Sequence, residues 1–208
     1  LMGFGLVSIL AAGTFILKQT EYKRLLAYSS IENMGIIAFG TGVGGLGADG
    51  ALLCLIHHSL IKSSLFLTSG NILLGYGSRL IEKTGNLVNR MPKTFVAFFS
   101  GFAAISGLPP FGIFIGELFV VLGAFKAGHY AAVSILVVSL CAILAGFANQ
   151  AMKISFNTSE ATVNLAEKAS LVWPQYALLS TSLVLCFWIP DALYRTIMHA
   201  VTTVGGGF

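Results

Sequence analysis

Charge is what this sequence has little of. Only 10% of its 208 residues are Asp, Glu, Lys or Arg, while 56% are hydrophobic. A soluble domain carries about 25% charged residues, so an ordinary solvated surface is excluded. The mean hydropathy of +0.86 points instead to an integral membrane protein. Cysteine is scarce too: Cys54, Cys141 and Cys186 stand alone in separate apolar stretches. No pair has disulfide or zinc spacing, so they read as buried packing residues. The net charge of +4 is spread over short segments and forms no basic helix face, which excludes nucleic acid as a partner. With no Cys cluster and no dinucleotide glycine motif after a strand, no redox cofactor is expected in this chain. No charged n-region precedes the first apolar run and no small-residue cleavage site follows it. Residues 1–17 therefore read as the end of a preceding helix, and the chain as the C-terminal part of a longer protein.

What is present is a succession of apolar runs. Residues 1–17 end at the polar cluster Lys18 to Arg24, and 25–46 form a second span that carries Glu32 and closes in GTGVGGLG. The third, 51–75, is ALLCLIHHSLIKSSLFLTSGNILLG. At ~1.5 Å per residue it makes ~37 Å of helix, more than the ~30 Å hydrocarbon core of a bilayer. A polar loop, 76–93, is followed by apolar pieces at 94–107 and 113–125, separated by GLPPFG. Pro109 and Pro110 remove two backbone donors and cannot sit inside an unbroken helix. Each piece is ~20 Å as helix, short for a crossing, so the pair reads as two short helices or one discontinuous helix. Interrupted helices at membrane depth often mark ion sites. Further spans at 130–150 and 171–189 flank a polar connection at 151–170. The whole reads as an all-α polytopic membrane protein of about six to seven transmembrane helices.

Loop charges give an orientation. With two spans in 94–125, Lys18, Lys23, Arg24, Arg79, Lys83, Arg90, Lys93, Lys126 and Arg195 share one side, and Lys153 and Lys168 the other. The richer side would be cytoplasmic. Counting 94–125 as one span again splits the basic residues nine to two, so charge alone leaves the topology open there.

Four ionisable residues lie within apolar stretches: Glu32, His58, Lys62 and Glu117. An ammonium at the depth of Lys62 costs roughly 2.5–3.5 kcal/mol, so it needs a partner or a hydrated cavity. His58 and Lys62 are spaced i,i+4 and share a helix face, with Cys54 one turn further back, whereas His57 points about 100° away. A neutral imidazole beside a lysine can accept its proton, which is what a relay requires. The other readings are a histidine bonded to a neighbouring helix and a lysine reaching for the interface. Cys54 and His58 are two metal ligands at best, too few for a site. Glu117 lies after the proline break with no other charge between Lys93 and Lys126, which suits a proton carrier or a carboxyl bonded near the break. Glu32, in YSSIEN, sits two turns into its span, either inside the bundle or near the interface.

KRLLAYSSIENMG at 23–35, HSLIKSSLFLTSGNI at 58–72 and SGLPPFGIFIGELFV at 106–120, in this order, resemble the proton-pumping, antiporter-like membrane subunits. That family includes subunits of respiratory complex I, Mrp sodium/proton antiporters and group 4 nickel-iron hydrogenases. The motif wording is most like the hydrogenase-4 component F-like branch. The resemblance implies a bundle of about fourteen helices built from two inverted repeats. Residues 1–208 would be one transmembrane domain holding only the second repeat. Residues 25–150 would form its half-channel, and 171–208 a flanking C-terminal helix. It further implies a proton relay in which Lys23 is the connecting lysine, His58 the bridging histidine, Lys62 the central lysine and Glu117 the terminal ionisable residue. Glu32 joins that path. Cys54 and Asn33 stand where some members carry histidine, so the path would lean on ordered water. The implied partners are other membrane subunits of a hydrogenase or complex I-like assembly, with the lipid bilayer around them in a prokaryotic inner (plasma) membrane. Protons would be carried, with sodium the alternative ion. Redox chemistry would belong to partner subunits. A Mrp-type antiporter subunit and a truncated structural subunit are the rival readings.

Overall fold

The computed structural model describes residues 1–158, 163, 167–192, 195–196 and 199–200. Among these residues every regular element is helical, apart from one isolated antiparallel bridge between Glu21 and Leu80. The helices are α1 (Met2–Ile16), α2 (Tyr22–Val43), α3 (Leu46–Tyr76), the short α4 (Leu87–Arg90), α5 (Pro92–Ile105), α6 (Gly112–Lys126), α7 (Tyr130–Phe156) and α8 (Ala169–Phe187). Three of them, α3, α7 and α8, are each long and apolar enough to cross a membrane.

The glycine-rich stretch after α2 turns the chain more tightly than the sequence suggests. The helix runs to Val43, and α3 begins at Leu46, five residues before the expected start. Only Gly44 and Gly45 link them, at φ 76° and 47°. Such left-handed backbone is disfavoured for a residue with a Cβ. At its far end α3 stops on Gly77, a left-handed C-cap whose N–H bonds the Leu73 carbonyl.

α3 is the central helix, with α2, α5, α6 and α8 around it and α1 and α7 further out. Small residues allow these approaches, as expected of helix packing in a membrane. A Cβ at Gly5 would meet the Gly35 carbonyl, and one at Gly40 the Gly47 carbonyl, each at 2.6 Å. The outer faces carry large exposed apolar residues such as Phe4 on α1, Val138 on α7 and Trp173 on α8. The interior holds Glu32, His57, His58, Lys62, Asn71 and Gln175. Polar groups inside and apolar groups outside is the pattern of a protein whose solvent is lipid.

The proline region settles into one discontinuous helix rather than two crossings. Met91, just before α5, lies against Gly75, and Gly101 of α5 against Leu65. After the break Gly112 lies against His57, Gly116 against Cys54 and Gly123 against Gly47. Both halves therefore run antiparallel to α3, end to end, and the break falls at the level of residues 57–65. Pro92 opens α5, a position that needs no N–H. The Glu167 carboxylate accepts the N–H groups of Lys93 and Thr94 at 3.1 and 2.8 Å, which complements the positive end of α5.

This single pass resolves the charge count. Ile81 N–H bonds the Thr20 carbonyl, Phe95 packs edge-on to Phe156, and Glu167 reaches Lys93, so these chain segments share one end of the bundle. Lys18, Lys23, Arg24, Arg79, Lys83, Arg90, Lys93, Lys153 and Lys168 all fall there, and Lys126 at the other. Lys153 and Lys168 thus join the basic side. The cysteines correct the expectation of three packing residues. Cys54 is buried, but Cys141 is exposed on α7 and Cys186 only part-buried on α8.

Candidate functional site

The site is assembled where α2, α3 and the broken α5–α6 meet. On α2, Ser29, Glu32, Asn33 and Ile36 follow helical spacing and all face inward. Opposite them, Lys62 is 5% exposed. Its ammonium donates to the Leu26 carbonyl and, at 2.6 Å, to Ser29 Oγ. The Ser29 and Ser30 hydroxyls donate to the same carbonyl at 3.2 and 3.3 Å. The cost of burying the lysine is thus met by hydrogen bonds to α2, not by His58 as the sequence spacing suggests.

His58 is buried, and its Nδ1 has no protein hydrogen-bond partner. Asn33 Oδ1 and Ser106 Oγ are in the same condition. Buried polar atoms of this kind are ordinarily satisfied by ordered water. Glu32, 5% exposed, accepts from Asn33 Nδ2 at 3.1 Å, and that amide also donates to the Ser29 carbonyl at 3.0 Å. Glu32 is therefore inside the bundle, not at an interface.

Glu117 stands in the second turn of α6 and folds back on the break. Its carboxylate occupies the space that a Cβ at Gly107 would need, and Gly107 itself sits at φ 64°. Only glycine combines that backbone with that proximity. Between Glu32 and Glu117 lies a cavity of about 300 Å³. Ser29, Ser106 and Gly107 contribute to its polar wall, and Leu140 and Phe147 of α7 to its apolar wall. That volume has room for several waters, each of which takes about 30 Å³ in the liquid. Lys62 adjoins this cavity through Ser29. Lys23 is different: it is part-buried in the first turn of α2 at the basic end, one turn before Leu26 and outside the cavity wall.

Four participants lie outside the residues that the sequence points to. Ser29 gave no signal beyond its spacing from Glu32. Ser106 and Gly107 could have been found from the expected break, since interrupted helices gather polar groups. His57, turned about 100° from His58 on α3, is buried, bonds Ser182 Oγ of α8 at 2.9 Å and packs on Gly112 at the break. Among the described residues no group of three His, Cys, Asp or Glu side chains is placed to hold a metal ion.

The family model described as NADH:quinone oxidoreductase/Mrp antiporter, transmembrane, matches residues 1–143. The hydrogenase-4 component F homolog of Methylacidiphilum infernorum is 38% identical over 157 residues, 75% of this chain and 33% of that protein. Formate hydrogenlyase subunit 3 of Escherichia coli is 36% identical over 141 residues, 62% of this chain and 23% of that protein. Among solved structures, a chain of respiratory complex I from Thermus thermophilus aligns with TM-score 0.81 and 24% identity, covering 97% of this chain and 43% of that one. A chain of the Mrp complex from Dietzia sp. aligns with TM-score 0.79 and 22% identity, covering 98% and 46%. At those identities the structural likeness establishes the fold. The chain spans less than half the length of each of these proteins.

Proposed function

The chain belongs to the NADH:quinone oxidoreductase/Mrp antiporter transmembrane family, and on that premise we propose that it carries protons within a hydrogenase-4-like or complex I-like membrane complex. One observation carries the reading: a single cavity is walled by two carboxyl groups, Glu32 and Glu117, and by the hydroxyl that holds the buried Lys62 ammonium. Water in such a space lets a proton pass between groups that each tolerate two charge states. Lys62 releases a proton toward Ser29 and the cavity, Glu32 and Glu117 take it up in turn, and the break beside Glu117 offers release. His58, one turn from Lys62, and Lys23, at the basic end of α2, feed Lys62 through ordered water. The charge of neighbouring subunits sets which groups hold protons, and so couples transport to redox steps carried out elsewhere. The basic end faces the cytoplasm of a prokaryotic cell.

The test is Lys62→Met in the complete complex, reconstituted in vesicles. Pumping coupled to electron transfer should disappear while assembly is unchanged, because the substitution removes the only charge that α3 carries into the cavity's neighbourhood. Unchanged proton stoichiometry would overturn the proposal. Repeating the wild-type assay with and without sodium separates proton carriage from sodium exchange.

A further inference from the structure

A second polar feature runs along another face of α3. His57, Ser64, Thr68 and Asn71 share one stripe, set about 140° round the helix from Lys62. α8 lies antiparallel along this stripe. His57 Nδ1 is bonded to Ser182 Oγ at 2.9 Å, Ser64 Oγ donates to the Gln175 carbonyl at 3.0 Å, and Asn71 Nδ2 donates to the Leu171 carbonyl at 2.9 Å. Thr68 donates back to the Ser64 carbonyl at 2.8 Å.

The two ends of this seam differ in surroundings. At one end the His57 ring fills the space left by the missing Cβ of Gly112, so it touches the break itself. At the other, Asn71 meets the first turn of α8, beside the exposed residues 168–170, at the basic end of the bundle. Between them, Gln175 is 2% exposed, yet its Oε1 has no protein partner. Pro174, one residue earlier, also removes an N–H from the α8 ladder. Polar residues that merely fasten two membrane helices satisfy one another. A buried amide oxygen left unpaired calls for a donor from water.

We propose that the α3–α8 seam is a hydrated proton-access line from the basic end at Asn71 to His57 at the break. It is separate from the Lys62, Glu32 and Glu117 line and rests on the proton-carrying reading above. A proton arriving through water along Gln175, Thr68 and Ser64 passes by the Ser182 hydroxyl to one nitrogen of His57. The proton on the other nitrogen leaves toward the break, so the imidazole ends neutral and nothing is oxidised or reduced.

The experiment uses the complete complex with Cys54, Cys141 and Cys186 replaced by Ala. Gln175→Cys and Leu179→Cys are introduced singly and treated with a small, water-soluble, cationic thiol reagent from the basic side. Leu179 is a buried apolar position one turn along α8. Gln175→Cys should react at least an order of magnitude faster, and Gln175→Leu, in the complex with its cysteines intact, should slow pumping severalfold at equal assembly. If Gln175→Leu does not assemble, Ser64→Ala carries the same expectation. Equal labelling rates overturn the hydrated line, and rapid labelling with unchanged pumping overturns its role in access. Because labelling needs no pumping, it judges the seam even if Lys62→Met shows the proton-carrying reading to be wrong.

Discussion

Replacing Gly50 with Ala tests whether α3 and α6 are held at the separation the site needs. A Cβ there would lie 2.5 Å from the Gly116 carbonyl oxygen and 2.8 Å from both Phe119 Cβ and Val120 N. None of these is the end of a flexible side chain, so the clash cannot be relieved by a rotamer change. A comfortable carbon–oxygen contact is about 3.3–3.6 Å, so the helices must part by roughly 1 Å. Overpacking of this kind costs about 1–3 kcal/mol. Alanine returns about 0.5–1 kcal/mol through its lower backbone entropy loss in a helix. The net is a loss of up to about 2.5 kcal/mol, which lowers the melting temperature. Gly70→Ala is the reference, because a Cβ there meets nothing within 4 Å. It should gain the helix benefit alone, about 0.5–1 kcal/mol, and melt slightly higher. The two variants are thus expected to move in opposite directions. Thermal unfolding of the complex in lipid nanodiscs, followed by loss of the chromatographic peak on heating, reads this directly. If both variants melt together, or Gly50→Ala melts higher than wild type, the close α3–α6 approach described here is wrong.

Other substitutions examine the cavity wall. Ser29→Ala removes an acceptor of the Lys62 ammonium and should weaken its placement by about 1.5–3 kcal/mol, as for other hydrogen bonds to charged groups. Proton uptake by vesicles should slow severalfold, whereas Ser30→Ala, whose hydroxyl reaches only the Leu26 carbonyl, should leave it near wild type. Gly107→Ala forces a left-handed backbone on a residue with a Cβ, at about 1–2 kcal/mol. It also drives that atom into the Glu117 carboxylate. Gly77→Ala has the same φ of 64° but open space around it, so both variants should melt lower and only Gly107→Ala should lose proton uptake.

Much of this arrangement is legible in the residue order, for identifiable reasons. Paired prolines after an apolar run forbid a continuous helix, and the break is where GLPPFG places it. The lysine in 51–75 is buried because a span of that length leaves its side chain too short to reach either membrane surface. The hydrogen-bond partners of that lysine are not legible in this way, because spacing along one helix reports only which residues share a face. It says nothing about which neighbour meets that face. Ser29 and the Leu26 carbonyl come from α2, and a backbone carbonyl has no sequence signature at all. The same holds for His57: 100° from His58 is not outward when a second helix, α8, covers that side too. The start of α3 lies earlier than the sequence suggests because a run of glycines reads as a loop. Two of them at positive φ suffice for the reversal, and Gly47 then serves as a helical contact point.

The two-residue link at Gly44 and Gly45 acts as a gauge for a group far from it. Lys62 stands 16 residues beyond Leu46 on a continuous helix, about 24 Å away at 1.5 Å per residue. Its depth and its bearing on Ser29 are both fixed by where that helix is launched. Each residue of helix carries a rotation of about 100°, so the lysine's aim is set at the surface by the number of link residues. A proton-bearing group in the interior is thereby calibrated by two residues that touch neither it nor its cavity, and a hairpin that looks like simple connection is part of the site's specification.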